Sequence, residues 1–151
     1  MERKNATGTV DSGRAAEPVG RFPHARRVGN LLFISGIGPR ERGTKKIPGV
    51  EQGADGQVLS YDIEVQVRSV FKNVSFILED AGLTLGDLVD VQVFLTDMKK
   101  DFPVMNRIWA ETFPDSAPCR TTVEIGALPT PIAVELKCIA AFPETPRPEA
   151  G

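Results

Sequence analysis

The sequence predicts an α+β domain in which two helices cover one face of a mixed β-sheet, with the elements in the order β-β-α-β-α-β-β. Three observations support this prediction. Two short segments, at residues 25–28 and 31–36, flank a turn dipeptide, and two longer segments have the apolar spacing of helices. Three further segments are rich in β-branched and aromatic residues. Elements in this order are expected to form one sheet with both helices packed on the same face.

The first two strands are predicted at residues 25–28 and 31–36, on either side of the turn dipeptide Gly29-Asn30. The second segment is apolar on both faces, as expected of a buried strand. Residues 37–58 contain five glycines, two prolines and several charges. They are expected to form a long irregular loop, and a loop of this length in a small domain is often functional.

The first helix is predicted to begin after Ser60, which can cap it, and to run to about Ala81, where Gly82 ends it. Its apolar residues recur at helical spacing on one face. They are Val67, Val70, Phe71, Val74, Ile77, Leu78 and Ala81.

Residues 88–97 are predicted to form the next strand, because β-branched and aromatic residues dominate the segment. A second helix is predicted at residues 101–113, with Pro103 in its first turn. Residues 120–125 and 132–141 are predicted to form the last two strands. One face of this sheet has no helix to cover it, and an oligomer would do so.

The domain is predicted to span residues 21–142. Residues 1–20 are polar and without periodicity, which is typical of an N-terminal arm that is flexible or lies along the surface. Residues 143–151 contain three prolines and are expected to form a tail outside the core.

Composition excludes several classes of protein. The net charge of −2 offers no basic field for nucleic acid, and no apolar segment is long enough to cross a bilayer or to form a signal peptide. Cys119 and Cys138 are not spaced as a zinc pair, and His24 is the one histidine of the chain. We therefore expect a cytoplasmic protein without a metal, with reduced cysteines and no nucleic-acid or membrane partner.

Two residues of the last strands stand out. Arg120 lies at the mouth of a strand, where its guanidinium offers a fork of donors that matches a carboxylate. Glu135 projects away from the predicted core, where a carboxylate can orient and deprotonate a water molecule. The pattern alone favours an ordinary surface role or ion pair for both residues. A serine hydrolase built on Ser35 and His24 has little support, since Ser35 is not in a GxSxG motif.

Taken together, five separated motifs resemble the RidA/YjgF family over roughly residues 20 to 142. The motifs are RVGNLLFISG (27–36), VFLTDM (93–98), Asn106 with Phe113-Pro114, PCRTTVE (118–124) and ALP (127–129) with Glu135. The resemblance implies a chorismate-mutase-like α+β fold. It also implies assembly as a homotrimer, alone or as a dimer of trimers, with sites in the clefts between subunits.

The resemblance also implies roles for individual residues. In the imine deaminases of this family, the arginine that matches Arg120 binds the carboxylate of a small-molecule substrate. The glutamate that matches Glu135 holds the attacking water, and the site uses no cofactor. Ser35, Asn106 and the backbone around Pro129 are implied to line the cleft. Two positions depart from this pattern. Phe22, which is also implied to line the cleft, replaces a tyrosine whose hydroxyl can contact substrate or water, and Thr122 replaces a cysteine.

One branch of the family, the bacterial 2-aminomuconate deaminases, is more similar still. The similarity lies in FPHARR (22–27), GPR (38–40), SYDIE (60–64), FLTDMK (94–99) and PCRTTVE (118–124). It implies hydrolytic deamination of 2-aminomuconate to 4-oxalocrotonate and ammonia in the catabolism of aromatic compounds. This substrate has two carboxylates, and Arg40 or Arg26 is the candidate cation for the second.

Two other functions stay open at this point. One is a general deaminase of 2-imino acids, and the other is a trimer without enzymatic activity that senses a carboxylate through Arg120. Retention of both Arg120 and Glu135 favours an enzyme, because a sensor needs only the arginine.

Overall fold

The computed structural model describes residues 8–144. The main sheet consists of β1 (Thr9–Val10), β2 (Ala25–Val28), β3 (Leu31–Ile37), β6 (Leu88–Leu95), β7 (Cys119–Glu124) and β8 (Val134–Ala141). A separate hairpin consists of β4 (Val50–Gln52) and β5 (Val58–Tyr61). The helices are α1 (Ile63–Asp80), α2 (Met98–Thr112) and a 3-10 turn at Leu85–Asp87.

The strands of the main sheet lie in the order β1-β2-β3-β8-β6-β7. All neighbours are antiparallel except β6 and β7, which are parallel and are connected through α2. Both helices pack on one face of this mixed sheet, so the predicted α+β architecture is confirmed. In the part of the chain that the structure describes, no helix has the length and apolar character that crossing a membrane requires.

Side chains alternate strictly along β8. Leu136 and Cys138 are fully buried beneath the helices, whereas Glu135 and Lys137 face the opposite side of the sheet. This opposite face also carries Phe33, which is 38% exposed, and within residues 8–144 no helix covers it. We call it the open face.

The hairpin of β2 and β3 confirms the predicted pair of strands. Gly29 in its turn has φ +61°, a conformation that costs glycine little. The following loop contains regular structure that was not predicted, because residues within the expected irregular segment pair as the β4–β5 hairpin.

The first helix is capped by Asp62 and not by Ser60. The Asp62 carboxylate accepts hydrogen bonds from the backbone N–H groups of Glu64 (3.0 Å) and Val65 (3.3 Å). Ser60 lies in β5, where its hydroxyl donates to Glu51. Both residue types are good caps, so only the pairing of β5 decides between them. Gly82 follows the helix with φ +81°, as predicted.

The second helix begins at Met98, three residues before the predicted start at residue 101. Asp97 caps it by accepting a hydrogen bond from the backbone N–H of Lys100 at 3.1 Å. Pro103 therefore lies in the second turn, and its missing N–H leaves one helical hydrogen bond unmade.

The segment before residue 20 is packed against the domain from Gly8 onward, which corrects the prediction of a flexible arm and agrees with the alternative of an arm that lies along the surface. β1 pairs with β2, and Ser12 and Ala15 are 3% and 1% exposed. His24 holds this segment, since its Nδ1 accepts from the Ser12 N–H (2.9 Å) and its Nε2 bonds to the Ala16 carbonyl (2.7 Å). Polar residues without periodicity can still be ordered when a buried side chain binds their backbone. The predicted tail lies outside the described residues beyond Glu144.

Replacement of His24 by alanine should destabilise the domain. The variant loses two buried hydrogen bonds and leaves the Ser12 N–H and the Ala16 carbonyl without partners, which costs about 2–4 kcal/mol. The free energy of unfolding in urea measures this loss. Lys45→Ala, at an exposed loop position, is the control and should change stability by less than about 0.5 kcal/mol. Equal stability of the two variants would contradict the assigned role of His24.

Candidate functional site

A cleft opens where the end of β3 meets the start of β8. Three segments form its walls, at residues 16–24, 36–40 and 129–135. The first is the packed N-terminal segment, and the other two are irregular chain next to strands. The cleft is thus built from loops that a rigid sheet positions, which is where binding residues are commonly found.

Glu135 is the ionisable side chain that β8 itself contributes to this cleft. It is half-buried on the open face, and within residues 8–144 no hydrogen bond or ion pair reaches its carboxylate. Burial raises the pKa of this carboxyl above its usual range. A desolvated carboxylate without a partner is available to a water molecule or a substrate.

Gly36 makes room for this carboxylate. A Cβ at Gly36 would lie 2.7 Å from Oε2 of Glu135 and 2.9 Å from its Cδ, which is closer than real contacts allow. The pairing of β3 with β8 shifts register between Ile34 and Ile37, so Gly36 lies in an irregularity of the strand. A glycine inside a strand often marks such a close approach, and the ISGIG segment carried this signal in the sequence.

Arg40 lines the same cleft. Its Nη2 donates to the carbonyl oxygen of Glu17 at 2.5 Å, and among the described residues no carboxylate oxygen lies within salt-bridge distance of its guanidinium, although the charge of Arg40 helps to lower the pKa of Glu17. The Glu17 carboxylate instead accepts from the backbone N–H of Gly43, and hydrogen bonds from backbone N–H groups lower its pKa. Arg26, the other candidate for a second carboxylate, is exposed opposite Phe33 on β3 and does not line the cleft.

Three further residues were implied to line the cleft. Phe22, which is 43% exposed, and Pro129 do so. Ser35 does not, because its hydroxyl donates to the carbonyl of Pro23 at 2.7 Å and so anchors the start of β2.

Arg120 and Asn106 lie at the other edge of the sheet. The Arg120 guanidinium donates to Oδ1 of Asn106 at 2.5 Å and lies over the rings of Trp109 (4.9 Å) and Phe102 (5.6 Å). All three partners belong to α2, so one helix holds the arginine. Burial lowers the pKa of Arg120, although a guanidinium stays charged at any working pH. The Thr122 hydroxyl, two residues along β7, is buried and has no hydrogen-bond partner among residues 8–144.

Arg120 and Glu135 therefore do not meet within one chain. Arg120 pairs with Val91, which pairs with Cys138, so Arg120 shares the helix-covered face with Cys138. Glu135 lies three positions from Cys138 along β8 and faces the other way. Strand spacing and rise place the Cα atoms of Arg120 and Glu135 about 14 Å apart. The sequence placed both residues on strands but could not reveal this difference in face.

His24 and the cysteines have structural surroundings. His24 is 3% exposed and both of its ring nitrogens bond to backbone groups, so the ring is not a free base although it borders the cleft. Cys138 is buried in the core and Cys119 is exposed on β7, and both are free thiols. Among the residues that the structure describes, no cluster of three or more potential ligands could hold a metal ion.

Comparison with known proteins identifies relatives over most of the chain. The model of the endoribonuclease L-PSP family matches residues 12–142. A RutC family protein of Pyrococcus horikoshii is 38% identical over 126 residues, which cover 83% of this chain and 90% of that protein. The chloroplastic Reactive Intermediate Deaminase A of Arabidopsis thaliana is 31% identical over 133 residues, which cover 88% of this chain and 65% of that protein.

Solved structures give the same result. The crystal structure of RidA from an Antarctic Psychrobacter matches with a TM-score of 0.75 and 30% sequence identity, covering 89% of this chain and 98% of that one. The YjgF gene product of E. coli matches with a TM-score of 0.75 and 29% identity, covering 88% and 97%.

The raised pKa of Glu135 predicts a pH-dependent effect of Glu135→Gln on stability. The folded chain holds this proton more tightly than the unfolded chain, so stability is lost as the pH rises through the folded-state pKa. Glutamine cannot ionise, so the Glu135→Gln variant does not lose this stability as the pH rises. The urea midpoint of the variant should exceed that of the native chain at about pH 7 and equal it at about pH 4. A lower midpoint at neutral pH would mean that the ionised carboxylate has a stabilising partner.

Proposed function

The chain belongs to the RidA/YjgF/L-PSP family, and on this basis we propose that it is a hydrolase that releases ammonia from a carboxylate-bearing enamine or imine. The matches confirm the predicted family and its α+β fold. The family includes a reactive intermediate deaminase. The observation that carries the proposal is the half-buried, unpartnered carboxylate of Glu135 in the cleft.

Hydrolysis of an imine needs a water molecule and a base, and Glu135 is proposed to supply the base. Water adds to the carbon of the protonated imine while the Glu135 carboxylate takes one of its protons, which gives a neutral carbinolamine. Glu135 returns this proton to nitrogen, ammonia leaves, and the carbinolamine hydroxyl gives its own proton to the carboxylate as the carbonyl group forms. A pKa raised toward neutrality makes the carboxylate a stronger base while it is still ionised, which suits this role.

The carboxylate next to the imine carbon is proposed to bind Arg120 of a neighbouring copy. Arg120 and Glu135 face opposite sides of the sheet in one chain, so a cleft that contains both must be shared by two chains. The open face, with Phe33 and Val123 each 38% exposed, offers the surface for such a homo-oligomer, and we propose a trimer. Trp109 and Asn106 hold the guanidinium in place before substrate arrives.

The proposed substrate is 2-aminomuconate, which would yield 4-oxalocrotonate. Its enamine tautomerises to an imine, and its second carboxylate needs a cation. Arg40 supports this choice, because it lies in the cleft with Glu135 and pairs with no carboxylate among the described residues. Phe22 adds an apolar surface suited to a conjugated carbon chain.

A general deaminase of 2-imino acids is the second candidate, and the name of the Arabidopsis relative favours it. A carboxylate sensor without activity has less support, because it would not need Glu135. A nuclease, which the family description suggests, has little support from a chain with a net charge of −2.

Ammonia release tests the reaction and the role of Glu135. The native chain should release ammonia from freshly generated 2-aminomuconate, and Glu135→Gln should lower kcat about 100-fold or more. Gly36→Ala should also lower kcat, because its Cβ displaces the Glu135 carboxylate. Gly126→Ala is the matched control, since a Cβ there meets nothing within 4 Å. Release from 2-iminopropionate alone would favour the second candidate, and no release from either would favour the sensor.

Mixed oligomers test whether two chains share the cleft. Arg120→Ala and Glu135→Ala should each be inactive alone. When they are refolded together in equal amounts, about one quarter of the clefts should pair a native Arg120 with a native Glu135, and activity should return to that level. Glu135→Ala mixed with the double variant should stay inactive. A mixture without activity would place both residues in one chain or rule out one of them.

A further inference from the structure

Three polar side chains lie along one side of α1, at residues 66, 69 and 73. Their spacing of three and four residues places Gln66, Ser69 and Asn73 above one another on the helix surface. Gln66 is 0% exposed and Asn73 is 4% exposed, although the rest of the buried surface of α1 is apolar. We call these three residues the polar stripe.

Asn73 and Ser69 hold the wall of the cleft that carries Arg40. The Asn73 Nδ2 donates to the carbonyl oxygens of Gly38 (3.0 Å) and Arg40 (2.7 Å). The Ser69 hydroxyl donates to the carbonyl of Pro39 at 2.7 Å. Three consecutive carbonyls of an irregular segment are therefore bound by one helix.

Gln66 holds the wall of the cleft at residues 129–135. Its Oε1 accepts a hydrogen bond from the backbone N–H of Ala133 at 2.9 Å, next to the start of β8 and two residues before Glu135. Its Nε2 is buried without a partner in the described structure. The two walls are thus attached to α1 at separate points of the polar stripe.

Burying amide groups in a helix surface is costly unless they are hydrogen-bonded. In the polar stripe these bonds go to the two loops that form the cleft and not to neighbouring helices or strands. Among the described residues, the carbonyl of Glu17 is the one hydrogen-bond partner of the Arg40 side chain. The position of its guanidinium therefore depends on this carbonyl and on where Asn73 and Ser69 hold the Arg40 backbone.

We propose that Asn73 and Ser69 are positioning residues, which hold Arg40 where its guanidinium binds a second carboxylate and so favours dicarboxylate ligands. Gln66 independently positions the wall of the cleft that carries Glu135. This inference rests on the proposed function, in which Arg40 meets the far end of a dicarboxylate. None of the three side chains of the polar stripe lines the cleft, so their effect on a ligand acts through the backbone they hold.

Binding of two unreactive ligands to the full chain tests this. Muconate is a six-carbon dienoic acid with two carboxylates, and sorbate has the same chain length with one. By calorimetry, the native protein should bind muconate about tenfold or more tightly than sorbate. Arg40→Ala should reduce this ratio to about one. Asn73→Ala should reduce it severalfold, and the Arg40→Ala/Asn73→Ala double variant should not reduce it further than Arg40→Ala.

Gln66→Ala is the matched control, because Gln66 is equally buried on the same side of the same helix. It should weaken both ligands alike and leave the ratio unchanged. Ser69→Ala removes one hydrogen bond and decides the case if Asn73→Ala does not fold. An unchanged ratio in the folded Asn73 or Ser69 variant overturns the proposal, as does a native ratio of one. Neither ligand is turned over, so failure of the proposed deamination would not affect this result.

Discussion

Alternation along β8 places Leu136 and Cys138 beneath the helices and turns Glu135 and Lys137 to the other side of the sheet, and the rest of the structure depends on this register. β8 lies between β3 and β6, which pair with it on both edges. A shift of one residue would move two charged side chains into the apolar core, so the helices that cover one face also determine the position of the cleft carboxylate.

The crossover from β6 to β7 has two uses. A parallel pair of strands needs a connection that crosses the sheet, and α2 supplies it. The same helix supplies Phe102, Asn106 and Trp109, which hold Arg120 on the edge strand that the crossover positions. The arginine and its partners thus come from one continuous piece of chain, and their arrangement does not depend on the distant N-terminal segment.

Periodicity predicted the helices and most strands, because the apolar side chains of α1 and β8 are in contact with one core. It could not choose between Ser60 and Asp62 as a cap, since the pairing of β5 with β4 makes that choice. It also did not predict that the N-terminal segment bound by His24 is ordered, because this depends on two long-range hydrogen bonds. Glu135 was found, but its separation from Arg120 required the registers of two strand pairs.

The contact between Gly36 and Glu135 has a consequence for the history of this fold. A side chain at position 36 would have to push the far end of the Glu135 side chain aside, so the glycine is required only while the glutamate keeps its present position. Loss of the glutamate would relax the requirement for glycine, and a later substitution there would make the loss hard to reverse. A glutamate in this position is therefore expected together with a glycine at position 36, whereas the glycine can persist without the glutamate. A larger residue at position 36 would mark chains in which the carboxylate has moved or been lost.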